Sequence, residues 1–138
     1  GRTWTYQTCT EFGFYQSSDS SKQPFGDGFP LKFWTQQCED IFGPEYTVDM
    51  LTAGVRRTNS MYGGRNLKVT RVVFPNGSVD PWHALGVIQN LSDDATAIFI
   101  NGTAHCANMY PASANDLPQL KEAREKVFSI ITNWLSQE

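Results

Sequence analysis

No stretch of this sequence carries the ~18 consecutive apolar residues that a membrane-spanning helix needs, so no membrane partner is expected. Basic charge is also scarce. Eleven Lys and Arg stand against fourteen Asp and Glu, a net charge of −3, with both signs spread along the chain. A nucleic acid or an acidic membrane surface would require a basic patch, and none is expected to bind here. Tight metal-ligand spacings such as C-x-x-C or H-E-x-x-H do not occur. His83, His105, Cys106 and Asp80 are ligand types without such a pair, so neither a metal nor another cofactor is expected. There is no internal repeat. The chain opens Gly1-Arg2-Thr3-Trp4, without Met and without a signal-peptide pattern, which reads as a processing site or an arbitrary cut.

What is present suits a folded domain. The chain has 138 residues, 40% of them apolar and 13% aromatic, enough for a compact core. Cysteines stand at 9, 38 and 106, and the odd count leaves at least one unpaired within the chain. Three N-x-S/T sequons begin at Asn76, Asn90 and Asn101. Together they point to the secretory pathway, extracellular or lysosomal, which would permit a disulfide. Asn90 is the expected glycan carrier, since Asn76 and Asn101 flank the catalytic candidates below.

Residues 1–16 are aromatic and rich in strand formers, with Trp4, Tyr6, Phe12, Phe14 and Tyr15 among polar residues. Residues 17–28 form a polar loop. Leu31 to Phe42 has apolar residues at helical spacing, ended by Gly43-Pro44, and a second short helix falls within 48–62. The second half is more regular. Val69 to Phe74 and Ala95 to Ile100 read as buried strands, and a helix runs from about Leu117 to Leu135, capped by Asn115 or Asp116. Its apolar stripe is Leu117, Leu120, Val127, Phe128, Ile131, Trp134 and Leu135. Strand, loop, strand, loop, helix is the pattern of the α/β class. The pattern leaves the relative direction of the strands open.

In open α/β sheets, catalytic groups sit at the carboxyl ends of strands. Asp80 follows the first strand and His105 the second, acid before base. A hydrolase triad on such a sheet has the chain order Ser, Asp, His, which puts the nucleophile upstream. The nucleophile pattern G-x-S-x-G does not occur. Each residue also has a plainer reading: Asp80 as a turn residue bonding nearby N–H groups, His105 as a surface or capping residue. Cys106, next to His105, reads as structural or as a free thiol, because a Cys-His pair is made in space and not along the chain.

Three segments carry a family likeness. Gln7-Thr8-Cys9-Thr10-Glu11 resembles the Gln-x-Cys-Thr-Glu segment of the serine peptidase family that holds lysosomal Pro-X carboxypeptidase, dipeptidyl-peptidase II and thymus-specific serine protease. Asn76-Gly77-Ser78-Val79-Asp80-Pro81-Trp82 resembles the family's Asn-Gly-x-x-Asp-Pro-Trp motif, and Gly102-Thr103-Ala104-His105 its Gly-x-x-His segment. His105-Cys106 is more similar to the thymus-specific branch, since the other two follow the base with a second His. The likeness extends from Trp4 to the final helix.

The resemblance implies roles and a fold. Asp80 would be the triad acid and His105 the general base. Cys9 and Cys38 would be disulfide-bonded, whereas the residues alone leave 9–38, 9–106 and 38–106 equally open. Phe14 and Trp82 match positions that help wall the substrate pocket, and both also read as core aromatics. The fold would be the C-terminal portion of an α/β-hydrolase. Residues 1–66 would hold the end of a helical cap insertion and its return to the core, and residues 67–138 the last core strands and closing helix. The expected function is a serine-type exopeptidase, a carboxypeptidase or dipeptidyl-peptidase, with its serine upstream and this chain alone inactive. The expected partners are the missing N-terminal part of the same protein and a peptide substrate, with a homodimer as an open option. The rivals are a non-catalytic secreted relative and an esterase or lipase on the same fold.

Overall fold

The computed structural model describes residues 1–137. The chain divides into two compact units, Gly1–Gly64 and a second that begins at Arg65.

The first unit is helical. Helix α1 (Arg2–Gln7) runs into a π-helical turn, Thr8–Phe12, then α2 (Leu31–Phe42) and α3 (Val48–Tyr62) follow. The strand character expected for residues 1–16 is therefore corrected. Threonine hydroxyls bond back to the preceding turn, Thr8 to Thr5 O (2.7 Å) and Thr10 to Tyr6 O (2.8 Å). This local option competes with extended pairing. The Gly13 N–H reaches Thr8 O at 2.9 Å, closing the wide turn. The turn buries Cys9, which is bonded to Cys38 of α2 with Cα atoms 5.6 Å apart. Tyr15 stacks on Trp34 at 6.0 Å and sets its hydroxyl 3.2 Å from the Cys38 sulfur. Helix α3 approaches the π-helical turn through Gly54, where a Cβ would lie 2.1 Å from Thr10 O. The backbones meet there because no side chain intervenes.

The second unit is a parallel two-stranded sheet with one helix packed on it. Strand β1 (Val72–Gly77) pairs with β2 (Ala95–Ile100), Val72 opposite Ala95 and Gly77 opposite Ile100. β1 starts three residues later than the sequence suggests. Arg71 takes a left-handed backbone (φ 55°), and pairing begins only after it. β1 continues through Pro75, which has no N–H to donate. Helix α4 (Pro118–Leu135) lies on β2, with Ile98, Ile100, Leu120 and Ala123 buried and Val73, Ala107, Val127 and Ile130 packed around them. The buried face of α4 is thus Leu120, Ala123, Val127 and Ile130. The expected stripe is corrected, since Phe128, Ile131 and Leu135 are exposed. The expected cap is corrected too. The residue before α4 is Leu117, which makes no side-chain cap, and the Asp116 carboxylate instead accepts from Ser113 N (2.9 Å) and from Arg124. No helix among the described residues is long and apolar enough to cross a membrane.

Candidate active site

The site forms where the two strands end. β1 finishes at Gly77, and a Cβ there would lie 2.4 Å from Thr103 O and 2.6 Å from Ala104 O. Only glycine lets the post-β2 loop cross so closely. The loops are then laced together. Ser78 N–H donates to Ile100 O (3.0 Å) and Val79 N–H to Thr103 O (3.0 Å). The Ser78 hydroxyl donates to Asn101 Oδ1 (3.2 Å) and accepts from Gly102 N–H (2.8 Å). Asn76 serves the other side, its amide nitrogen donating to Phe74 O (3.2 Å) and Val87 O (2.9 Å).

Asp80 caps the short 3-10 turn Pro81–Leu85, with Pro81 in the first position where its missing N–H costs nothing. Its Oδ1 accepts from Trp82 N–H at 2.9 Å. Its Oδ2 lies 2.7 Å from His105 Nδ1. Asp80 is buried, while the His105 side chain is 58% exposed. Burial pushes the Asp80 carboxyl up, but the His105 hydrogen bond, the Trp82 N–H and the nearby His105 and His83 charges outweigh it and hold the carboxyl below its usual range. An ionised carboxylate only accepts, so Nδ1 carries the proton toward it. A neutral His105 then has its Nε2 lone pair open, the tautomer a general base requires.

Two more rings border the pair. Trp82 meets the His105 ring edge-on at 4.9 Å and 83°. His83 donates from Nδ1 to Asp80 O at 2.6 Å and packs against Phe99 at 5.2 Å. The fold thus brings Asp80, His105 and Trp82 together. Phe14 stands in the first unit, against Phe12 at 5.0 Å, with its backbone left-handed at φ 63°. Cys106 is a free, half-buried thiol, also left-handed at φ 45°. Asn90 and Asn101 are exposed, and Asn90 Oδ1 accepts from Ala97 N–H at 2.9 Å.

Sequence reasoning missed Arg124. Its guanidinium donates to Ala107 O (3.0 Å), Tyr110 O (2.8 Å), Asn108 O (3.4 Å) and the Asp116 carboxylate. Its one visible signal was a long cation on the otherwise apolar face of a helix. The structural need for Gly77, the signal for which was already in the motif, was also missed.

The sequence is similar to those of known proteins. The chain is 40% identical over 134 residues to thymus-specific serine protease of Mus musculus, which covers 97% of this chain and 26% of that protein. It is 37% identical to the Homo sapiens protein of that name, with the same coverage. Against lysosomal Pro-X carboxypeptidase of Bos taurus it is 31% identical over 139 residues, 96% of this chain and 26% of that protein. The chain thus spans about a quarter of the length of the curated relatives it matches. Residues 1–127 match the family described as serine carboxypeptidase S28, and the chain belongs to that family.

Proposed function

We propose that this chain is the C-terminal part of a longer serine-type exopeptidase, supplying the acid and the base of a triad whose serine lies upstream. The observation that carries the proposal is the 2.7 Å contact between Asp80 Oδ2 and His105 Nδ1. In this reading His105 Nε2 removes the proton from the serine hydroxyl as that oxygen attacks the peptide carbonyl. The imidazolium then passes the proton to the leaving amine. A water repeats the sequence to release the acyl group. Asp80 fixes the tautomer and stabilises the imidazolium while remaining ionised, which accords with its lowered pKa.

On this proposal residues 1–66 are the end of a helical cap insertion and residues 67–138 the closing part of an α/β-hydrolase core. By the family resemblance Trp82 and Phe14 are each proposed as substrate-binding residues, Trp82 beside His105 and Phe14 in the first unit. A bulky residue held at φ 63° costs backbone energy, and such strain concentrates where function requires it. The Pro-X carboxypeptidase relative makes peptides cleaved beside proline the first substrates to try. The Cys9–Cys38 disulfide accords with an oxidising compartment, secreted or lysosomal.

The test is peptide hydrolysis by the full-length protein, wild type against D80N and H105A. D80N should lower kcat by roughly 10⁴ with little change in KM, and H105A by at least as much. The 138-residue chain alone should show no turnover. Turnover by the chain alone, or full activity in H105A, would overturn the reading.

A further inference from the structure

We propose that Arg124 is a positioning residue for His105: it ties the loop after the base to α4, so that the ring stays against Asp80. His105 sits between two stretches of backbone. Upstream, Thr103 is fixed by its hydroxyl on Ile100 O (3.0 Å) and by the Val79 N–H on its carbonyl (3.0 Å). Downstream, Cys106 takes a left-handed turn (φ 45°, ψ 30°) and leads directly into the one-turn helix Ala107–Met109. A non-glycine residue holds that conformation only when its surroundings enforce it.

Arg124 supplies that enforcement. Its side chain is 19% exposed and its planar fork engages three carbonyls, Ala107, Asn108 and Tyr110, within four consecutive residues. The remaining arm holds Asp116, whose carboxylate closes the turn back to Ser113. Helix α4 is itself fixed to β2 through Leu120 and Ala123. A continuous chain of contacts therefore runs from the sheet, through α4 and Arg124, to Ala107, two residues beyond His105. A lysine could keep the charge and one acceptor, but it has no rigid fork with which to span the others.

The inference rests on the proposed triad, so the experiment carries two readouts. The first is kcat and KM of the full-length protein on peptides. The second is the downfield proton resonance of His105 Nδ1 bonded to Asp80, assigned by its absence in H105A, which needs no turnover. R124K is the primary variant and R124A the second, each assayed well below its melting temperature. In R124K we expect kcat to fall about 100-fold, the scale of a roughly 1 Å misplacement of a reacting group. KM should stay unchanged and the Nδ1 resonance should broaden by exchange with water. If R124A does not fold, R124K decides. A folded R124K with wild-type kcat and a wild-type resonance would overturn the inference. An inactive wild-type enzyme would sink the triad reading, and the resonance comparison would still decide the role of Arg124.

Discussion

Asp80 shows how two readings of one residue can both hold. One carboxylate oxygen caps the turn at Trp82 and the other takes the imidazole, so the turn residue and the candidate acid are the same group using different atoms. Its carboxyl is held below the ordinary aspartate range, which fixes the sign of a pH effect. With the folded pKa below the unfolded value of ~3.9, the stabilisation is full above that value and is lost as pH falls through the folded pKa. Melting temperatures of wild type and D80N should therefore differ at pH 7 and converge in strong acid. Asn76 gives a second expectation. Its amide nitrogen is already engaged by Phe74 O and Val87 O, so a glycan on that nitrogen would take a hydrogen from the pair. Asn90 engages its oxygen alone among the described residues. Site mapping of secreted protein should find Asn90 modified and Asn76 bare. N76A should lose about 1–3 kcal/mol in denaturant titrations, because it strands two carbonyls. The Asp80–His105 pairing was legible in the sequence because each stands beside distinctive neighbours after a β-branched run. Arg124 was not, because its partners are backbone carbonyls, and no residue type marks a carbonyl.

At the scale of elements, the sequence made α2, α3, β2 and the extent of α4 legible, and its reading failed where local bonding outweighed propensity. The aromatic, threonine-rich start of the chain has the composition of a strand. Yet its hydroxyls return to their own backbone, and Cys9 must meet Cys38. The apolar stripe of α4 was misread for a different reason. Phe128, Ile131 and Leu135 are as apolar as the residues that face β2, and hydropathy cannot tell a face packed within the chain from one left open. Gly54 allows a decisive test of helix packing. An exposed Gly→Ala change within a helix gains up to about 1 kcal/mol. Here the new methyl would stand 2.1 Å from a backbone oxygen that cannot turn aside. G54A should instead destabilise by roughly 1–3 kcal/mol or more, read as a lower midpoint in urea at unchanged slope. A stabilised G54A would show that α3 can move off the π-helical turn at no cost.

For the molecule as a whole, the disulfide and the sheet act in separate units. Cys9–Cys38 closes a loop with a separation of 29 residues in the first unit. A crosslink of that length is worth about 3–4 kcal/mol in the chain-entropy account. The second unit relies on two strands and one helix, and two strands alone are marginal. It also exposes Phe128 (72%) and Leu135 (68%) on α4. On the proposal that the chain continues upstream, the 138-residue piece should bind a hydrophobic dye and melt broadly, and coexpression with the remainder should sharpen the transition. A steep, dye-free melt of the piece alone would argue against that.

The lacing between the ends of β1 and β2 also governs how this site can change over time. Asp80 and His105 are 25 positions apart along the chain, yet both hang from one paired step, Gly77 opposite Ile100. The distance between them is therefore indifferent to the length of the crossover. Residues can be gained or lost in the exposed stretch 88–89 without the pair registering it. A single residue inserted between Gly77 and Asp80 would throw the carboxylate out of reach. Lineages and engineers alike can treat the two strand ends as a cassette, open to grafting as one piece and closed to editing from within.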